Sequence, residues 1–140
     1  MACGGMENVA KEEIRSFFDS LVDGELNLIR LNPEQVENAA YVNSERDGDG
    51  NIIGISGVCL QRFIPLPYLF VLVRRPFWNN GIGSRLVKKS IKFAISKYHM
   101  LFLSTLDDEE HKNAIRMYKK CGFVHFYTPD KHYWMVTVRQ

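Results

Sequence analysis

Between residues 66 and 97 the chain changes its hydrophobic period once, and that change restricts the architectures open to it. Leu66 to Arg74 is rich in β-branched and aromatic residues and apolar on both faces, as in a strand buried at the centre of a sheet. From Ile82 to Lys97 the apolar residues Ile82, Leu86, Ile91, Ala94 and Ile95 mark the inner side of a helix. Between the two runs lies Arg74-Arg-Pro-Phe-Trp-Asn-Asn-Gly81-Ile-Gly83. Gly81 and Gly83 let the backbone turn tightly and approach a ligand closely. The helix that follows presents unpaired N–H groups at the positive end of its dipole, a natural anion site.

The flanking segments place this unit in a mixed α/β fold. Residues 7–22 read as a helix, with Val9, Ile14, Phe17, Phe18 and Leu21 near helical spacing. Leu26 to Leu31 suits a short strand, and Asn32-Pro33 can start a further helical turn. Ala40–Glu45 and Asn51–Gln61 read as strands joined by Asp47-Gly-Asp-Gly50, a hairpin signal. Met100 to Thr105 is a short apolar strand, and Asp108 to Cys121 a second helix that Gly122 ends. Its acids stand at the start and Lys119 and Lys120 at the end, matching the macrodipole. Phe123–Tyr127 and His132–Arg139 close the chain as a strand pair.

A length of 140 residues fits one domain, taken as 1–140, able to bury a core without disulfides or structural metal. The 46% hydrophobic and 24% charged content excludes general disorder. The longest apolar run, Phe63 to Val73, holds two prolines between flanking arginines, whereas a spanning helix needs about 20 residues. No membrane association is expected. The start of the chain lacks a secretory pattern, and Cys3, Cys59 and Cys121 form no CxxC, so reduced thiols and a cytoplasmic location are expected. Asp47-Gly-Asp-Gly-Asn51 mimics a calcium loop, but Ile52 takes the required glycine position and Val58 the final glutamate position. It reads as a turn, and no metal is expected.

The net charge of +2 hides an asymmetry: residues 1–50 hold eleven acids and four bases, whereas 74–97 hold seven bases and no acid. Such a run is a solvated helix face, a nucleic-acid surface, or a site for a multiply charged anion. The helix is amphipathic and no aromatic-rich recognition surface accompanies it, which disfavours nucleic acid.

Two phosphate-binding patterns fail on this loop. The dinucleotide fingerprint needs a third glycine where Leu86 stands, and the P-loop needs Gly-Lys-Ser/Thr where Gly83-Ser84 occurs. A third pattern fits. Trp78-x-x-Gly81-x-Gly83 is followed by His111-x-x-Ala114-Ile115-x-x-Tyr118-x-x-x-Gly122-Phe123. Together, over roughly residues 40–135, these resemble the two signatures of the GNAT superfamily of N-acetyltransferases.

That resemblance implies a mixed, mostly antiparallel central sheet with helices on both faces and a splayed pair of parallel central strands. It implies acetyl-CoA as cosubstrate and a primary amine as acceptor, with direct attack on the thioester. The pantetheine arm would lie along Val71, Leu72 and Val73, and the pyrophosphate on the backbone of Asn79, Asn80, Gly81, Ile82, Gly83 and Ser84. An amide near Val73 would stabilise the oxyanion, and Arg85, Lys88 and Lys89 are candidates to help hold phosphates. Tyr118 would protonate the departing thiolate; a phenol of pKa about 10 suits a thiolate of about 8.5. The alternative for Tyr118 is a core aromatic, packed with Ala114 and Ile115.

The chain departs from the family pattern at three places. Trp78 replaces Gln or Arg, with the loss of one polar contact expected. Pro76 lies one position late, with Arg75 in its place. His111 replaces an asparagine that binds the pantetheine arm; it can make a similar hydrogen bond, act as the base, or be a surface histidine. Leu106 stands where some relatives carry a catalytic glutamate, and Asp107 to Glu110 read as cap and dipole partners, so no base is assigned. The acidic N-terminal third suits a cationic amine. A non-catalytic acyl-CoA sensor on the same fold is the alternative function, and a homodimer is compatible with the architecture.

Overall fold

A computed structural model of the chain describes residues 9–21, 33–60, 66–128 and 131–138. The strand expected over Leu26 to Leu31 lies outside the described residues. In chain order the elements are α1 (Lys11–Asp19), α2 (Pro33–Glu37), β1 (Tyr41–Arg46), β2 (Ile52–Leu60), β3 (Pro67–Val73), α3 (Ile82–Tyr98), β4 (Met100–Leu106), α4 (Lys112–Lys120), β5 (Val124–Tyr127) and β6 (His132–Val138). Short 3-10 turns at Arg75–Phe77 and Glu109–His111 precede α3 and α4.

The strands form one sheet in the order β1-β2-β3-β4-β6-β5. Every neighbouring pair is antiparallel except β3 and β4, which are parallel and joined through α3. This is the mixed, mostly antiparallel sheet expected. At the β1–β2 hairpin the Asp47 carboxylate accepts the N–H groups of Asp49 and Asn51, each at 2.9 Å. The acid thus closes the turn, as an Asx residue does.

Side-chain alternation gives the sheet two core faces. Ile14, Phe17 and Phe18 of α1 and Val36 of α2 pack with Val42, Ile55, Phe70 and Leu72. On the other face Val87 and Ala94 of α3 join Val58, Leu69, Leu101, Leu103 and Met135. Each fully buried apolar side chain here is worth about 1.5–3 kcal/mol relative to exposure.

A buried polar cluster pins α3 to the strands. The Asn43 amide donates to Ser56 O at 3.2 Å and to Ser90 Oγ at 3.3 Å. The Ser56 and Ser90 hydroxyls bond at 2.8 Å, and Ser56 Oγ also donates to Phe70 O at 2.9 Å. Buried polar groups of this kind fix geometry because a misplaced helix would strand them unpaired. The turn feeding α3 is therefore anchored from behind.

Candidate active site

The site begins with the two edges of β3. Along one, β3 pairs with β2 at seven successive positions, from Leu60 opposite Pro67 to Gly54 opposite Val73. Along the other, pairing with β4 is confined to Tyr68 opposite Phe102. The Arg74 N–H donates to Ile53 O at 2.8 Å. Antiparallel ladders alternate, so the backbone groups of Val71 and Val73 point away from β2, toward the seam where β4 has parted. Of the three residues expected to hold an extended amide-bearing arm, Val71 and Val73 turn their backbone to the seam, while the Leu72 backbone faces β2 opposite Ile55. In open α/β sheets such a seam, at the carboxyl ends of parallel neighbours, is where ligands bind.

Past Val73 the chain enters the 3-10 turn and then the glycine loop. Asn79 and Gly81 take left-handed backbone angles, φ 67° and 78°. Gly81 caps α3, and Ile82, Gly83 and Ser84 form the first helical turn, with Arg85 N donating to Gly81 O at 3.1 Å. Their own N–H groups lack intrahelical acceptors. A Cβ on Gly83 would meet only Met117 Cε at 3.5 Å and Val73 Cγ2 at 3.7 Å, ordinary contacts. Protein packing alone therefore does not demand glycine there, whereas a ligand seated on the amides would.

Trp78 makes a polar contact within the protein. The indole Nε1–H donates to Val73 O at 2.6 Å, and the Arg75 guanidinium lies 4.9 Å from the ring centroid. The indole ties the loop back onto the last carbonyl of the strand. No sequence pattern shows this, because it depends on a side chain folding back five residues.

The basic stretch proves partly neutralised. Arg85 makes a two-pronged ion pair with Glu45 of β1, Nε–Oε2 at 2.7 Å and Nη2–Oε1 at 2.8 Å. Arg74 donates to the Ser20 hydroxyl and carbonyl, each at 3.1 Å. Arg85 is thereby tied to β1 while its Nη1 stays 3.5 Å from Asn80 O of the loop, and Lys88 and Lys89 remain exposed. Two acids of the N-terminal third are paired as well: Glu13 binds Arg46 at 2.6 Å and Glu37 binds Arg15 at 2.7 Å.

Tyr118 lies in the core face between α3 and α4, buried, with its ring edge-on to Phe123 at 6.0 Å. No described residue hydrogen-bonds its hydroxyl. Burial pushes the phenol above its ordinary pKa, and the neighbouring Cys121 adds to this. The group stays protonated through neutral pH, available as a donor. Cys121 links α4 to the glycine turn, its Sγ lying 3.7 Å from Ser84 Oγ. Burial also raises the Cys59 thiol, to about 11, which makes it a poor nucleophile.

His111 stands before α4 at the carboxyl end of β4. Its Nδ1 lies 2.5 Å from Asp108 Oδ1, and the same oxygen accepts the His111 backbone N–H at 3.0 Å. Hydrogen bonding to His111 holds the Asp108 carboxyl below its usual range. The expected helix from Asp108 therefore opens as a 3-10 turn capped by Asp108, and α4 proper begins at Lys112. The cap role read for these acids holds for Asp108. Its grip on the imidazole was not anticipated; an Asp three residues ahead of a histidine at a helix start is the signal that was present.

A parallel pair splayed in an otherwise antiparallel sheet, with an amide-lined turn at its open end, defines an acyl-transferase type of site. Residues 6–123 match the model of the Acetyltransferase (GNAT) family. The chain belongs to that family and is an acetyltransferase. Solved structures share the fold. A ribosomal-protein-alanine N-acetyltransferase from Brucella melitensis superposes with TM-score 0.75 at 16% identity, over 94% of this chain and 98% of that one. A GNAT-family acetyltransferase from Staphylococcus aureus gives 0.69 at 20% identity, over 96% of each chain. A spermidine N-acetyltransferase chimera from Vibrio cholerae gives 0.67 at 16%, over 94% and 93%. A search of curated proteins by sequence returned no match.

Proposed function

We propose that the protein transfers the acetyl group of acetyl-CoA to a primary amine by direct attack. The observation that carries this reading is the β3–β4 seam, where the outward backbone of Val71 and the N–H of Val73, whose carbonyl Trp78 holds, lead onto the Gly81–Ser84 amides. Val71, Leu72 and Val73 would hold the pantetheine arm as an added strand does. Asn79, Asn80, Gly81, Ile82, Gly83 and Ser84 would hold the pyrophosphate, and His111 would face the arm from the β4 side. An oxyanion forming near Val73 would meet its N–H.

Tyr118 would donate a proton to the departing thiolate. Its raised pKa is compatible with that role, because the same desolvation that disfavours a phenolate also disfavours a free thiolate. Two structural relatives are named for spermidine and for ribosomal-protein alanine. The acceptor is accordingly sought among polyamines and peptide N-termini.

Calorimetric titration with CoA, followed by thiol-release assays with spermidine and an N-terminal alanine peptide, tests the proposal. CoA binding in the micromolar range with thiol release for at least one amine is expected. Binding with no release across a wider panel of primary amines would identify a sensor instead.

A further inference from the structure

We propose that Asp108 and His111 form the proton-accepting pair for the attacking amine, with His111 Nε2 as the atom that takes the proton. The inference rests on the acetyl-transfer reading above.

Three observations carry it. The first is the hydrogen-bond arrangement. Asp108 Oδ1 is an acceptor only, so the 2.5 Å contact places a proton on His111 Nδ1 and leaves Nε2 with a lone pair in the neutral ring. An asparagine at this position can both donate and accept; a neutral imidazole held this way can only accept.

The second is burial. The imidazole side chain is 11% exposed while the Asp108 carboxylate is 43% exposed. The ring is enclosed and its orienting partner faces solvent, and Nε2 has no partner among the described residues. The charged neighbours on the same turn point elsewhere: Glu109 pairs with Lys112 at 2.7 Å, and Glu110 is exposed.

The third is placement. The turn carrying His111 leaves the carboxyl end of β4, and the glycine turn leaves the carboxyl end of β3, so both stand at the open end of one seam. Tyr118 lies on α4, the helix that this turn opens into. Proton acceptor and proton donor thus lie on the turn and the helix that follow β4.

The step balances. The amine lone pair forms the N–C bond to the acetyl carbon, and the C–S bond breaks. The amine proton passes to His111 Nε2, and the Tyr118 hydroxyl proton passes to the sulfur. Solvent then returns the proton from His111 and restores that of Tyr118. Asp108 acts as a positioning residue, fixing tautomer and ring orientation as the carboxylate of a catalytic triad does.

The test uses His111→Asn, the residue of the family pattern, and His111→Ala in the full chain, with CoA titration and thiol release read in parallel. A coenzyme ligand alone would be served by asparagine; a proton acceptor would not. His111→Asn is expected to hold CoA within about threefold of the parent while turnover at pH 7 falls about 100- to 1,000-fold. Raising the pH toward the pKa of the amine used should shrink that loss, because the amine then arrives neutral. Added imidazole should restore part of the His111→Ala activity. Asp108→Asn, which keeps the helix cap, should lower kcat about tenfold with the KM for acetyl-CoA unchanged. Full activity in His111→Asn, or a fall in CoA affinity that matches the fall in turnover, would overturn the pair's role and leave the acetyl-transfer reading standing. CoA binding without thiol release by the parent chain for any amine would overturn both.

Discussion

The turn that leaves β3 and the turn that leaves β4 stand at the same end of two parallel neighbours, and each leads into a helix. The first is built of backbone: Gly81 in the left-handed region, the amides of Ile82, Gly83 and Ser84, and an indole lashed to Val73 O. The second is built of side chains, the Asp108 carboxylate holding the His111 ring and capping the chain at once. Main-chain amides suit a ligand part that is constant, such as a diphosphate, since they ask only for charge and shape. An oriented imidazole suits the part that changes during the reaction, because it can gain and lose a proton.

The strongest test of that division lies on the second turn's helix. Tyr118→Phe removes one oxygen from a buried site with no described partner, so the fold should persist while turnover drops about 100-fold and CoA affinity holds. Unchanged turnover across pH would return Tyr118 to the core as a packing residue.

On the first turn, Gly83→Ala should do the opposite. The Cβ meets only ordinary contacts, so the thermal midpoint should stay within a few degrees. Lost amide contacts to a charged group should weaken CoA binding about 10- to 100-fold in a calorimetric titration. A collapsed midpoint with no selective effect on CoA would mean that this glycine serves packing.

Trp78→Phe is subtler. It removes the bond to Val73 O at an exposed site, and a cost of about 1 kcal/mol is expected in denaturant unfolding, together with a modest rise in KM for acetyl-CoA. A shift in KM without a stability change would assign the indole to the ligand alone.

The smallest effect belongs outside both turns and serves as their control. The Arg46 guanidinium beside Glu13 holds its carboxyl down at about 2 against an ordinary 4.5. The folded pKa is depressed, so the pair stabilises fully above about 4.5 and its contribution fades as pH falls toward 2. The groups are solvent-exposed and screened, so the contribution is about 0.5–1 kcal/mol. Comparing Glu13→Gln with the parent chain at pH 3 and pH 7 should show the gap closing at the lower value.

How legible each turn was follows from the range of its interactions. Strand, glycines and helix start sit in one contiguous stretch, so the change of period and the two glycines disclosed the first turn directly. Element positions agree for the same reason: Leu66–Arg74 was expected as strand and Pro67–Val73 is found. The splay itself came only from the family resemblance, since the loss of pairing after Tyr68 depends on how two distant strands diverge. Glu45 with Arg85 joins β1 to α3 across forty residues, and nothing local foretells it. That pairing is why charge counting overstated the anion field of the 74–97 segment. Asp108 was read as a cap, which it is, but its second bond needed a rotamer that sequence does not contain.

A sheet that stops zipping midway through its central pair turns main-chain groups of its last residues, Val71 foremost, toward a gap. A molecule that threads the gap as proposed would pair with them and make the two halves of the sheet continuous, acting as mortar as well as reactant. Occupancy at about a hundred times the dissociation constant contributes about 2.7 kcal/mol. For a domain of this size that lifts the melting point by several degrees. The protein's heat tolerance would then rise and fall with the supply of the compound it consumes.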